Sequence, residues 1–145
     1  MCGLVGFVCL EGINQYDPQF ILKRMNRAIS HRGPDGEGYY LDERCAMAHR
    51  RLSIIDLEGG AQPWRTEDAR YSLVFNGEIY NHHELRRQLE KLGYRYQSHC
   101  DTETVMNAYR AWGDTCVEKF VGMFAFVIWD KHAGRVFAAR DRLGI

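Results

Sequence analysis

The chain has 145 residues, of which 46% are hydrophobic and 26% are charged, and its formal net charge at pH 7 is zero. These values are ordinary for one globular domain with a core of its own. The balanced charge gives no reason to expect nucleic acid or an anionic membrane surface as a partner. No apolar run approaches the length of a membrane span, and no basic segment followed by an apolar one opens the chain. We therefore expect neither a membrane segment nor a signal peptide.

The cysteines are odd in number, widely spaced and without any C-x-x-C pair; they are Cys2, Cys9, Cys45, Cys100 and Cys116. Such a pattern favours free thiols in a reducing, cytoplasmic setting over a disulfide framework. The adjacent pair His82-His83 has no cysteine at zinc-ligand spacing, so we expect no metal site.

Hydrophobic periodicity and turn residues predict two groups of strands with helices between them. The first predicted elements in chain order are a strand over 3–9, a helix over 18–30, and strands over 39–41, 45–55 and 71–75. They are followed by a helix from Asn81 to Gly93, a strand over 94–96, and a helix that starts within 98–102 and ends at Gly113. The last are a helical turn over 116–120 and a hairpin of 123–129 with 135–139. This order indicates an α+β or layered α/β fold with mostly antiparallel strands.

Local signals support three of these boundaries. Asp17 followed by Pro18 is typical of an N-cap with proline in the first helical turn. Asn81 with Glu84 three residues later is a variant of the capping box. The segment 76–78, Asn-Gly-Glu, is interpreted as a turn at the end of the strand that precedes it.

The start of the chain carries the first candidate for chemistry. If Met1 is removed, Cys2 becomes the N-terminal residue and carries both a thiol and a free α-amine. An α-amine can take the proton of the thiol, so this nucleophile needs no histidine as its base. By itself the Met-Cys pair is explained as well by a small residue that opens a strand.

Three further segments have the chemistry that an amide-hydrolysing thiol needs. The Asn76 side chain and the Gly77 N–H could donate to an oxyanion. Arg51 offers a forked donor for the α-carboxylate of an amino acid, and Glu78 and Asp101 offer carboxylates for its α-ammonium. Each has a structural alternative: Asn-Gly can be a turn, Arg51 a surface charge, and Asp101 a helix cap.

Taken together, these segments resemble the N-terminal glutaminase domain of the class II glutamine amidotransferases, which are N-terminal-nucleophile hydrolases. Within this group the sequence is most similar to the glutamine-hydrolysing asparagine synthetases. The motifs that carry the resemblance are the segments 1–6 (MCGLVG), 31–35 (HRGPD), 51–56 (RLSIID), 60–63 (GAQP), 76–81 (NGEIYN), 101–103 (DTE), 122–126 (GMFAF) and 140–145 (RDRLGI). The forms at 32–35 and 76–81 are those of the asparagine synthetase branch.

The resemblance implies a role for each candidate residue. Cys2 would be the nucleophile, its own α-amine the base, and Asn76 with Gly77 the oxyanion hole. Arg51 would bind the α-carboxylate of glutamine. The complete set of glutamine-binding residues that it implies is Arg51, Ile54, Asn76, Gly77, Glu78 and Asp101.

The fold implied by the resemblance is α+β: a four-layer αββα sandwich of mostly antiparallel sheets, the N-terminal-nucleophile hydrolase fold. We expect residues 2–145 to form a glutaminase domain of this type. Family members continue beyond the Leu-Gly-Ile motif at 143–145, so we expect the domain to be incomplete at its C-terminus. We expect the ATP-dependent synthetase domain to be absent.

The activity implied is hydrolysis of glutamine to glutamate and ammonia through a thioester on Cys2. The ammonia would supply an asparagine-synthetase-like, amide-forming reaction in the cytoplasm. ATP and Mg²⁺ are expected only in the synthetase domain, so this chain itself is expected to hold no cofactor. Its partners would be glutamine and, in the full-length chain, the synthetase domain; a homodimer is left open.

Two other functions stay open at this point. The chain could be a non-catalytic domain that binds glutamine or a partner without turnover. Alternatively, the same glutaminase could serve an acceptor other than aspartate, because the residues that choose the acceptor belong to the synthetase domain.

Overall fold

The computed structural model describes residues 2–13, 17–52 and 61–144. The helices and strands within these ranges are β1 (Gly3–Val8), α1 (Pro18–Ala28), β2 (Gly36–Leu41), β3 (Cys45–Arg51), β4 (Trp64–Arg65), β5 (Tyr71–Ile79), α2 (His82–Lys91), α3 (Asp101–Trp112), β6 (Gly122–Asp130) and β7 (Arg135–Arg140). Two 3₁₀ turns, Ser30–Arg32 and Gly113–Lys119, follow α1 and α3. The predicted site residue Ile54 lies outside the described residues.

The strands form two antiparallel sheets. The first sheet has the order β1-β3-β2, and the second has the order β4-β5-β6-β7. Strand β3 is therefore central in the first sheet, and its register pairs Gly3 with Arg50 and Gly36 with Arg51. In the second sheet β5 and β6 pair along their whole length, from Tyr71 opposite Asp130 to Ile79 opposite Gly122.

Side chains alternate between the two faces of each strand. The core is therefore divided into three clusters, which lie between the successive layers of helices and sheets. On β3, Ala48 packs beneath α1 with Leu22, whereas Met47 points the other way and packs between the sheets with Trp129. A third cluster fills the space between the second sheet and helices α2 and α3, where Phe75 is one of its buried members. The layers are thus helix, sheet, sheet, helix, and the predicted αββα sandwich is confirmed.

Several local predictions are also confirmed. The Asp17 side chain accepts a hydrogen bond from the Phe20 N–H at 2.9 Å, as an N-cap does, and Pro18 begins the helix. Gly93 and Gly113 follow α2 and α3 with positive φ angles of 92° and 60°, a conformation that glycine adopts at little cost. Within the described ranges, none of the helices has the length and apolar character to cross a membrane.

Three local predictions are wrong. Residues 76–78 are not a turn, because β6 pairs with them and carries β5 on to Ile79. Asn81 precedes α2, but its side chain donates to the Lys119 carbonyl and accepts from the Val121 N–H instead of capping the helix. The segment 94–96 pairs as a strand with none of the described residues; its tyrosines instead pack at the edge of the helix-facing core.

Candidate active site

Cys2 lies immediately before β1 and next to the end of β3. The pairing of Gly3 with Arg50 brings the start of β1 alongside the last residues of β3. The Leu52 N–H donates to the Cys2 Sγ at 3.4 Å, and the Arg32 Nη2 donates to the Cys2 carbonyl at 3.5 Å. The half-buried thiol is therefore held beside the residue that directly follows Arg51.

Arg51 is the last residue of β3, and its backbone is fixed on the side of β2. The Asp35 N–H donates to the Arg51 carbonyl at 3.0 Å. Gly33 approaches the same place so closely that a Cβ added to it would lie 2.5 Å from the carbonyl carbon of Arg50. The segment 31–35 therefore supports the end of β3 by close backbone packing, and only glycine fits at position 33.

The face of β3 that carries Arg51 is the face toward the second sheet. Side chains two residues apart on a strand share a face, and His49 on this face is 2% exposed and contacts the Phe75 carbonyl of β5. Burial lowers the pKa of His49 to about 4, and the charge of Arg51 contributes to the lowering. The Arg51 guanidinium therefore lies near the space between the two sheets.

Asn76 and Gly77 lie on β5 beyond the point where β4 stops. Strand β4 pairs only with Leu73 and Ser72. Further along, the Phe75 N–H donates to Gln62 Oε1 at 2.6 Å and the Ile79 N–H donates to Asp101 Oδ2 at 2.9 Å. N–H groups two residues apart point to the same edge of a strand, so the Gly77 N–H is directed to this edge between those two bonds.

Glycine at position 77 is required by the neighbouring strand. Its φ angle is +150°, and a Cβ added there would lie 2.6 Å from the Phe124 Cα and closer still to the Met123 carbonyl oxygen. The close approach of β6 therefore explains why this strand position carries no side chain.

Asp101 anchors the end of β5. It is the first residue of α3, and its Oδ2 accepts the Ile79 N–H, which places its carboxylate beside the residue that follows Glu78. Burial raises the pKa of Asp101, and the hydrogen bond from Ile79 and the proximity of His82 oppose that rise. Glu78 is exposed. This end of the strand therefore has a half-buried carboxylate from Asp101 and an exposed carboxylate from Glu78.

The structure thus forms two groups from the predicted site residues. One group, Cys2 and Arg51, lies at the end of β3 in the first sheet. The other group, Asn76, Gly77, Glu78 and Asp101, lies at the end of β5 that extends beyond β4 in the second sheet. The two strands that carry them face each other across the inter-sheet layer, where His49 of β3 meets Phe75 of β5.

Two polar residues at this place were missed by the sequence analysis. His49 and Gln62 both hydrogen-bond to the backbone of Phe75, the residue before Asn76. The alternation of His49 with Arg51 along one strand was the signal available for the histidine. Among the residues that the structure describes, no three His, Cys, Asp or Glu side chains group in a way that could hold a metal ion.

Similarity to known proteins extends along the whole chain. A family model described as a glutamine amidotransferase domain matches residues 1–145. Asparagine synthetase [glutamine-hydrolyzing] 1 of Bacillus subtilis is 46% identical over 100% of this chain and 23% of its own length. A probable asparagine synthetase [glutamine-hydrolyzing] of Schizosaccharomyces pombe is 36% identical over 100% of this chain and 26% of its own length.

The chain spans about a quarter of the length of these curated relatives. Among solved structures, the glutamine phosphoribosylpyrophosphate amidotransferase of B. subtilis, complexed with ADP and GMP, aligns with a TM-score of 0.54. It is 22% identical and covers 68% of this chain and 24% of its own, so it shows a shared fold. On the match of the family model along its whole length, the chain belongs to the glutamine amidotransferase domain family.

Proposed function

We propose that this chain is a glutaminase domain that hydrolyses glutamine to glutamate and ammonia, with Cys2 as the nucleophile. The observation that carries the proposal is the position of the Cys2 thiol, 3.4 Å from the Leu52 N–H at the end of the strand that presents Arg51. Hydrolysis of an amino-acid amide needs a nucleophile for the side-chain carbonyl and a donor for the α-carboxylate. The Cys2 thiol and the Arg51 guanidinium, on adjacent strand ends, can supply these two groups.

The first half of the proposed reaction forms a thioester. Once Met1 is removed, the α-amine of Cys2 takes the thiol proton, and the sulfur attacks the side-chain amide carbon of glutamine. The carbonyl oxygen becomes an oxyanion, to which the Asn76 amide and the Gly77 N–H donate. The tetrahedral intermediate then breaks its C–N bond, and the proton returns from the α-ammonium to the leaving nitrogen, which departs as ammonia.

The second half regenerates the enzyme. Water attacks the thioester carbon while the α-amine of Cys2 accepts a proton from it. The same two donors hold the second oxyanion. The C–S bond breaks, the thiol recovers its proton, and glutamate leaves.

Glutamine is held, on this proposal, through its α-carboxylate and its α-ammonium. The Arg51 guanidinium takes the carboxylate by two parallel hydrogen bonds. Glu78 and Asp101 take the ammonium. Burial raises the pKa of Asp101, and a bound ammonium would favour the ionised carboxylate again. Ile54, which lies outside the described residues, is a further proposed glutamine-binding residue.

The ammonia is proposed to serve an asparagine-synthetase-like amide-forming reaction, with the synthetase part of the full natural chain as the partner. Support comes from the two relatives named above, whose names both describe a glutamine-hydrolysing asparagine synthetase. ATP and Mg²⁺ belong, on this proposal, to the synthetase part. The cytoplasmic location is also proposed, and the five cysteines, all within the described ranges and all free thiols, support it.

The test is the intact mass of the protein before and after incubation with a diazoketone analogue of glutamine. The proposal predicts a chain without Met1 that gains one adduct, mapped to Cys2. Cys2→Ala should gain none, and Cys9→Ala, which removes another half-buried thiol, should label as the natural chain does. A Met1-free protein that stays unlabelled, or that labels at another cysteine, would overturn the proposal.

A further inference from the structure

The backbone of Phe75 is held by two side chains from outside its own sheet ladder. Its N–H donates to Gln62 Oε1 at 2.6 Å, and its carbonyl accepts from His49 Nε2 at 3.2 Å. Both bonds lie on the edge of β5 where β4 has ended. The two side chains therefore satisfy backbone groups that a longer β4 would have paired.

His49 can act at this place only as a donor. A carbonyl oxygen only accepts, so the nitrogen that contacts Phe75, Nε2, carries the proton. The ring is 2% exposed, and burial lowers its pKa to about 4. At neutral pH the ring is therefore uncharged, and it is kept in one tautomer by its partner.

The bond from His49 fixes the peptide that leads into Asn76. The Phe75 carbonyl and the Asn76 nitrogen belong to one planar peptide unit. A donor that holds the carbonyl therefore sets the orientation of that plane, and with it the direction in which the Asn76 side chain leaves the strand. Gln62 fixes the preceding peptide in the same way through the Phe75 N–H.

We propose that His49 and Gln62 are positioning residues, which hold the Asn76 amide and the Gly77 N–H in the geometry that receives the oxyanion. The inference rests on the proposed glutaminase function and adds two residues to it. Because His49 lies two residues before Arg51 on β3, its bond also joins the strand of the carboxylate-binding residue to the strand of the oxyanion donors. A misplacement of about 1 Å can cost about 10²-fold in rate.

Four variants separate positioning from simple structural support. His49→Leu removes the donor and keeps an apolar side chain, whereas His49→Gln keeps an amide N–H at a similar reach. Gln62→Met removes the acceptor of the Phe75 N–H with little change in side-chain size. If His49→Leu does not fold, the inference is tested with Gln62→Met. Trp129→Phe is the matched control, because it removes a partly buried hydrogen bond, from Nε1 to Asp42 at 2.7 Å, elsewhere in the inter-sheet layer.

Two rates are measured on the full natural chain and on its variants. Each rate is divided by the concentration of active sites that the diazoketone analogue labels. The first is the steady-state hydrolysis of glutamine, which forms an oxyanion. The second is the alkylation of Cys2 by iodoacetamide, in which the sulfur displaces iodide and no oxyanion forms. A group that positions oxyanion donors should affect only the first rate, whereas general loosening of the fold should affect both.

We expect His49→Leu and Gln62→Met to lower kcat by about 10- to 100-fold. This decrease does not exceed the decrease in kcat caused by removing one oxyanion donor. KM and the alkylation rate should be nearly unchanged. His49→Gln should recover most of kcat, and Trp129→Phe should keep it. An unchanged kcat in the folded His49→Leu or Gln62→Met protein, or equal losses in hydrolysis and alkylation, would overturn the inference. If the natural chain itself neither hydrolyses glutamine nor labels at Cys2, the proposed function fails first.

Discussion

Gly77→Ala tests the close packing of β5 against β6 at the predicted oxyanion site. The new Cβ would lie 2.6 Å from the Phe124 Cα, whereas carbon atoms in contact need about 3.5–4.0 Å. Strand β5 would therefore have to move away from β6 by about 1 Å. Overpacking of this kind costs about 1–3 kcal/mol, and the backbone, at φ +150°, adds a further cost of order 1–3 kcal/mol for a residue with a side chain.

Gly93→Ala is the matched control for the backbone term alone. Gly93 also has a positive φ, +92°, but a Cβ added there meets nothing within 4 Å. We expect Gly77→Ala to lose about 1–3 kcal/mol more unfolding free energy than Gly93→Ala, measured by urea denaturation. We also expect only Gly77→Ala to lower kcat for glutamine. Equal stability losses in the two variants would refute the packing argument.

The remaining predictions concern the second sheet and the inter-sheet layer. Asn76→Ala should cost about 2.7–4 kcal/mol of transition-state stabilisation, seen as a loss of kcat; a rise in KM alone would contradict an oxyanion role. Asp101→Asn keeps an acceptor for the backbone of β5 but removes the charge, so KM for glutamine should rise with little change in kcat; an unchanged KM would contradict ammonium binding. Asp42 has a lowered pKa because hydrogen bonds from groups that include Tyr40 and Trp129 outweigh burial, which raises it. Its stabilisation is therefore present above about pH 4 and lost as the pH falls through the folded pKa. Asp42→Asn should be less stable than the natural chain in urea at pH 7, and the deficit should shrink as the pH is lowered below 4; an equal deficit at pH 7 and pH 3 would contradict the assignment.

The elements with strong local signals were predictable from the sequence. Asp17 and Pro18 fix the start of α1 by local capping, and Gly113 ends α3 by its positive φ. The apolar run of β6 needed no partner to be recognised as a strand. In each case the physical cause lies within a few residues of the element that it defines.

The wrong predictions at 76–78 and at Asn81 share a different cause, which is pairing with distant residues. Asn76 and Gly77 have strong turn propensity, but their pairing with Ala125 and Phe124 extends the strand. The Asn81 side chain could cap α2, but it bonds to the backbone at 119 and 121 instead. Tertiary contacts made about 40 to 50 residues away along the chain outweighed the local preference at these positions.

The same distance explains what was missed at the candidate site. The residue types of the proposed nucleophile, oxyanion donors and glutamine-binding residues suggest amide chemistry, and the family resemblance implies a role for each. His49, in contrast, lies within the predicted strand 45–55 and has no local signal for a role at a site beyond its alternation with Arg51. Its contact with Phe75, 26 residues away, depends on how the two sheets face each other, and no periodicity in the sequence reports that arrangement.

The central claim is that the glutamyl group of glutamine becomes covalently attached to the N-terminal cysteine during turnover, after ammonia has left. The most direct measurement is the mass of the protein quenched in acid while it hydrolyses glutamine, followed by mapping of the modified peptide. The account predicts a chain without Met1 that carries one glutamyl group on the peptide beginning with Cys2, and no adduct or turnover in Cys2→Ala. Formation of glutamate at an unchanged rate in Cys2→Ala would contradict it.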